Sequence, residues 1–245
     1  MLSVNLLFIG LLGLVIGSFL NVLILRIPKD ENIAFPPSHC NSCGKSLKWW
    51  HNIPLFSYIF LKGRCYYCKE KISIQYPLIE LSSMAIFIVS YLKTADITHG
   101  IITALVFDLL LALSVIDFRY KAVPDSLNLL ALTLSIFSSN ISSSFTNALL
   151  FAGGFTLLRF YVSFFAKKEA MGEADIMIAS TMGAMLGVKL GLFSIFLSAF
   201  IALPVFVIVG KRDIQLPFIP FLAISLSITY FFDTYINTFI SWLYA

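Results

Sequence analysis

Apolar stretches of about twenty residues recur along this chain, which is close to the length a helix needs to cross a bilayer core of about 30 Å. Between them charge is scarce: 12% of residues are charged, against about 25% in soluble domains. A hydrophobic fraction of 59% and a mean hydropathy of +0.90 point the same way. The chain reads as an all-α, polytopic membrane protein. About eight spans are predicted, at roughly 4–25, 77–93, 99–116, 126–140, 145–166, 174–188, 189–210 and 217–243. The fourth and sixth are short and rich in Ser, Thr, Gly and Ala, which suits helices packed inside a bundle. The first lacks a basic n-region and an A-x-A exit and runs on to Arg26 and Pro28, so it reads as a retained helix.

Most of the 17 basic residues fall on one side of that topology. Arg26, Lys29, Lys45, Lys48, Lys62, Arg64, Lys69 and Lys71 lie between the first two spans. Arg119, Lys121, Lys167, Lys168, Lys211 and Arg212 lie in later loops of the same side, whereas the other side carries Lys93 and Lys189. The basic loops are therefore expected in the cytoplasm, with both termini outside. The net charge of +4 needs no nucleic acid, because a basic face against anionic lipid accounts for it.

Residues 27–76 form the one sizeable polar segment and hold all four cysteines. These read Cys40-Asn41-Ser42-Cys43 and Cys65-Tyr66-Tyr67-Cys68, two C-x-x-C pairs 21 residues apart, close to a four-thiolate zinc pattern. Gly44 follows one pair and Gly63-Arg64 precedes the other. Some fifty residues bury too little to fold alone, so a structural Zn²⁺ is expected to organise the insert. A redox pair or free thiols are the competing reading, and His39, beside Cys40, is a spare ligand. The run Trp49-Trp50-His51-Asn52-Ile53-Pro54-Leu55-Phe56-Ser57-Tyr58 is aromatic and flanked by cations, a composition suited to lipid headgroups or to roofing a polar site. A nucleic-acid-binding ribbon is disfavoured, because the insert is tethered between two spans and its cations are scattered. His99 is expected at the outer surface.

Two acids stand where apolar runs meet polar loops. Asp117 closes the third span and Asp175 opens the sixth, so both fall at the cytoplasmic boundary. Carboxylates are costly there and signal function. Two carboxylates sharing a proton activate a water and protonate a leaving amine without a metal, so the pair is a candidate for peptide hydrolysis. Asp125, after Pro124, is expected to cap the fourth span. Glu173 shares a loop with Asp175. Asp108 lies midway along the third span, with Arg159 a candidate partner. A different class of reading is a transporter using Asp108, Asp117 and Asp175 as a proton or cation relay; a third is a zinc-stabilised scaffold without catalysis.

Many short motifs in one order carry a resemblance. Gly17-Ser18-Phe19-Leu20-Asn21-Val22 precedes Arg26-Ile27-Pro28; then come the two cysteine pairs, Trp50-His51-Asn52-Ile53-Pro54, Gly63-Arg64-Cys65 and Tyr76-Pro77-Leu78-Ile79-Glu80. The Asp117 to Asp125 segment, Met171 to Asp175 and Leu216-Pro217-Phe218 complete the set. Nearly end to end, the chain resembles the type IV prepilin peptidases, bifunctional leader peptidases and N-methyltransferases among the GxGD intramembrane aspartyl proteases. It departs at Gly172-Glu173-Ala174-Asp175, where Ala replaces the second Gly and restricts positive φ, and at Pro217-Phe218-Ile219-Pro220, where Ile replaces a Gly.

The resemblance implies a bacterial inner-membrane enzyme with Asp117 and Asp175 as its catalytic pair. It implies prepilin or pseudopilin substrates, cut between a short basic leader and an apolar helix, commonly between Gly and Phe. It also implies methylation of the new amine from S-adenosylmethionine, although no Rossmann-like glycine motif marks a cofactor site. The expected organisation is a first span at 1–26, the four-cysteine insert at 27–76 associated with methyl transfer, and a peptidase core at 77–245. Asp30, Glu31, Glu70, Glu169 and Glu173 are candidates for attracting leader cations, and Glu80 for touching substrate or cofactor.

Overall fold

In hydrocarbon a backbone must satisfy its own polar groups, so apolar runs of this length become helices. The computed structural model describes residues 2–167, 171–209 and 217–243; Lys168, Glu169, Lys211, Arg212 and Leu216 lie outside the described residues. The chain is 77% helical, with no strand among the described residues. It divides into two compact units, Met1–Ala104 and Leu105–Ala245.

In the first unit, α1 (Leu2–Arg26) packs along α3 (Gln75–Thr94). Gly13 and Gly17, one turn apart, make the approach possible. A Cβ on Gly13 would stand 2.8 Å from the Met84 Cα, and one on Gly17 2.7 Å from the Glu80 Cα. Small residues at this spacing let two membrane helices touch backbone to backbone, and the Ser83 hydroxyl donates to the Gly13 carbonyl at 2.7 Å. The opposite face of α1 exposes Leu7, Leu11 and Val15. Between the two helices the insert contains little regular structure: two 3₁₀ turns, Ile27–Lys29 and Trp49–Asn52, and the short helix α2 (Phe56–Phe60).

The helices that follow are α4 (Ile97–Tyr120), α5 (Asp125–Ile136), α6 (Ile141–Ala166), α7 (Glu173–Val209), α8 (Ile219–Phe231) and α9 (Asp233–Leu243). In the second unit α7 packs against α5, α6 and α8. It is broken at Gly187, whose φ of 72° and ψ of −176° suit glycine alone. The break reverses the chain. A Cβ on Gly183 would lie 2.5 Å from the Phe151 ring, and one on Gly191 2.6 Å from the far end of the same ring. Both arms thus clasp one phenyl group, which an unbroken helix rising about 12 Å over eight residues could not do.

Among the described residues, five helices are long and apolar enough to cross a membrane, or six if α8 and α9, bent by 86°, are one span. The count of about eight is not confirmed. Two physical reasons account for the difference. The predicted spans 174–188 and 189–210 are the two arms of α7, which reverses at Gly187 yet counts as one helix. The predicted span 126–140 is α5, which has only 12 residues. It stops where Ser138 Oγ turns back to the Ser135 carbonyl at 2.7 Å and Asn140 caps α6 by accepting the Ser142 N–H at 3.2 Å.

Candidate active site

Asp117 lies in the last turn of α4 with 7% of its surface exposed, and its Oδ2 accepts the Ile219 N–H at 3.2 Å. That N–H belongs to the first residue of α8, where Phe218 is the N-cap and Pro220 occupies the first turn. The start of a helix concentrates unpaired N–H groups and positive dipole. The Pro217-Phe218-Ile219-Pro220 motif therefore delivers a helix N-terminus to a carboxylate. Ile219 is itself buried, which roots the donor in the core.

Asp175 sits in the first turn of α7. The Gly172 backbone N–H bonds to its carboxylate, and Asp117 is the charge that acts on it. The two aspartates, 58 residues apart in the sequence, thus come within electrostatic reach, Asp117 against the start of α8 and Asp175 in the first turn of α7. Asn128 of α5, fully buried, holds the turn that carries Asp175: its Nδ2 donates to the Ala174 carbonyl at 3.0 Å. Its Oδ1 is buried without a partner among the described residues. Ala174 is a helical residue and has no positive φ, so the Ala that replaces the motif's second Gly introduces no backbone strain.

The other acids separate from this pair. Glu173, pointing to solvent, pairs with Arg159 at 3.2 Å. Asp108 is buried nine residues before Asp117, about 13 Å along the helix axis. Asp125 is the first residue of α5; the N-cap is Pro124 and makes no side-chain cap bond. The expected cap is corrected accordingly, and Asp125 acts on α5 through the dipole of its first turn. Glu31 pairs with Lys29 at 4.0 Å.

In the insert the four cysteine sulfurs lie within 4.8 Å of one another. Cys40 and Cys68 approach to 3.8 Å, the edge length of a tetrahedron whose metal–sulfur distance is about 2.3 Å. All four thiols are free. Two copies of one turn bring them together. In the first, Cys40 N–H reaches the Lys45 carbonyl at 3.1 Å, Gly44 N–H the Cys40 carbonyl at 2.8 Å and Leu47 N–H the Ser38 carbonyl at 2.7 Å. In the second, Cys65 reaches Glu70 at 2.8 Å, Lys69 reaches Cys65 at 3.1 Å and Ile72 reaches Gly63 at 2.8 Å. Gly44 and Lys69, which follow the second cysteine of each pair, both take positive φ, 69° and 59°. The Cys43 backbone N–H is the main influence that lowers the Cys40 thiol to about 6, whereas, against the Glu70 backbone N–H, burial and the other three sulfurs push Cys68 up to about 12.

The histidines stand apart from the sulfurs. His39 Nδ1 lies 3.2 Å from the Pro37 carbonyl. His51 stacks among Trp50, Tyr66 and Tyr67, and Lys45, Lys48 and Lys69 lie over neighbouring rings of this cluster. His99 and Asp96 close the exposed start of α4 at 3.0 Å.

Two family descriptions match the chain: a bacterial peptidase N-terminal domain over residues 11–94 and the type IV leader peptidase family over 104–207. A prepilin leader peptidase/N-methyltransferase of Xanthomonas campestris pv. campestris is 34% identical over 90% of this chain and 88% of its own length. Proteins of the same name from Legionella pneumophila and Vibrio cholerae are 31% and 30% identical, over 96% and 81% of this chain and 94% and 84% of theirs. No solved structure matches. Neither the comparisons nor the acid placement lends support to a proton or cation relay. With aspartates at two helix ends, a paired cysteine turn and this match along its length, the chain belongs to the type IV leader peptidase family.

Proposed function

We propose that the chain is an aspartyl endopeptidase of the bacterial inner membrane that removes the basic leader of prepilins or pseudopilins and then N-methylates the exposed residue. The convergence of Asp117 and Asp175 supports this reading most directly. One carboxylate, ionised, takes a proton from water as the oxygen attacks the scissile carbonyl. The other, protonated, donates to the carbonyl oxygen and, on collapse, a proton passes to the leaving amine. The Ile219 N–H steadies Asp117 and the Gly172 N–H steadies Asp175, so both acids are oriented before substrate arrives. Both ends of this chemistry fit the cytoplasmic boundary, where a basic leader meets an apolar helix.

Cys40, Cys43, Cys65 and Cys68 would hold Zn²⁺, which supplies folding energy to the insert and no step of hydrolysis. S-adenosylmethionine supplies the methyl group when bound. The test is reconstitution of the full chain in liposomes with a prepilin, followed by mass analysis of the product. Loss of the leader with a methyl added is expected; an intact prepilin refutes the assignment. In the same assay Asn128→Ala frees the Ala174 carbonyl, and a lost buried hydrogen bond of about 1–3 kcal/mol corresponds to a fall in cleavage rate of roughly 5- to 150-fold.

A further inference from the structure

Three stretches far apart in sequence meet at Glu80, inside the first unit. Glu80 lies in the second turn of α3 with 7% of its surface exposed, and its Oε2 accepts the Leu55 N–H at 2.8 Å. The Ser18 hydroxyl bonds to the same carboxylate. The Gly17 backbone approach described above places Ser18 there. Beside it, Asn21 Nδ2 donates to the carbonyls of Gly17 and Tyr76 at 3.2 and 3.3 Å, and Gln75 Nε2 donates to Asn21 Oδ1 at 3.3 Å. The motifs around Gly17, Pro54 and Tyr76 thus form one polar knot.

Leu55 is held in an unusual state to serve it. Its φ of 59° and ψ of −49°, with Phe56 N–H 2.6 Å from the Pro54 carbonyl, describe a γ-turn of the rare positive-φ kind. Such strain, about 1–3 kcal/mol, persists only where the surroundings enforce it and gathers at functional sites. An anchor for the insert needs only an acceptor, and a glutamine amide would provide one. A carboxylate at a membrane boundary is far more expensive, and no cation among the described residues pairs with Glu80. Leu55 and Ser18 occupy two of the roughly four lone-pair positions a carboxylate offers. The remainder suits a cationic ligand, and leader cleavage creates one: the free α-ammonium group of the mature chain.

We propose that Glu80 binds the new N-terminal ammonium and accepts its proton for methyl transfer. This rests on the methyltransferase reading above. The ammonium gives one proton to the Glu80 carboxylate, freeing the nitrogen lone pair. That pair forms a bond to the methyl carbon as the carbon–sulfur bond of the sulfonium donor breaks. The breaking bond's electrons stay on sulfur as a neutral thioether, the product is a methylammonium, and Glu80 returns its proton to water.

The experiment uses Glu80→Gln in the full chain, reconstituted with prepilin and methyl-labelled S-adenosylmethionine, with zinc content, donor binding and leader cleavage measured alongside. Glutamine keeps an acceptor for Leu55, so zinc, donor binding and cleavage stay within about twofold while methyl incorporation falls at least about a hundredfold, the size of effect a general base carries. Methylation at the wild-type rate overturns the proposal. So does loss of zinc or cleavage together with methylation, which makes Glu80 an anchor, or loss of donor binding, which places it on the wrong substrate. A wild-type chain that cleaves without transferring any methyl sinks the methyltransferase reading itself, before any variant is compared.

Discussion

Asp117→Asn and Asp175→Asn are each expected to lower leader cleavage at least about a thousandfold, within the range that removal of a general acid or base produces, with membrane insertion unchanged. Asparagine preserves shape and one acceptor oxygen. At position 117 it keeps the bond from the Ile219 N–H, so α8 stays seated and the loss isolates proton transfer from packing. At position 175 the amide also keeps an oxygen for the Gly172 N–H. The double variant is expected to be no slower than either single one, because residues that act as a unit fail as a unit. Initial rates on reconstituted protein, with insertion verified by protease protection, provide the measurement. A well-inserted variant that cuts within about tenfold of wild type, a barrier change of only ~1.4 kcal/mol, removes that residue from the mechanism.

Withdrawal of zinc has the second large effect and the opposite selectivity. A four-thiolate site contributes on the order of 10 kcal/mol or more of binding free energy to the domain it folds, far more than an insert of this size can draw from its own core. Cys65→Ser, or a strong chelator, is expected to collapse the paired turns and release Leu55 from Glu80. Methylation is then lost. Cleavage survives within about tenfold, or ~1.4 kcal/mol, because both aspartates and their N–H donors belong to residues 105–245. Zinc analysis and both activities on one preparation are sufficient. Full methylation by a metal-free protein would falsify the structural role of the cysteines.

The sequence made the helices legible through their length and the aspartates through their misplaced charge. It was less informative where one residue ends an element. The predicted span 126–140 runs four residues past the helix, because serine hydroxyls compete for the backbone and α5 closes at Ile136. The boundary between the predicted spans 174–188 and 189–210 falls within two residues of the break at Gly187. The partners of the aspartates were harder to foresee. Ile219 and Gly172 act through backbone N–H groups, which every non-proline residue carries, so residue type offers no clue. Asn128 reads as one more polar residue of a short helix until Ala174 is seen across from it. The doubled cysteine turn was half visible, since Gly44 advertises a positive φ and Lys69, its counterpart, does not.

The shortness of α5 bears on a difficulty common to all hydrolysis inside lipid, namely the supply of water. Its 12 residues rise only about 18 Å, well short of the roughly 30 Å of hydrocarbon around them. Leu129 and Leu130 are turned outward; were lipid to lie against them, adjoining acyl chains would have to compress or the headgroups dip to meet the helix ends. Either response would thin the oily layer beside Asn128 and the turn that carries Asp175. The reagent consumed at every turnover would then have its shortest path where it is needed.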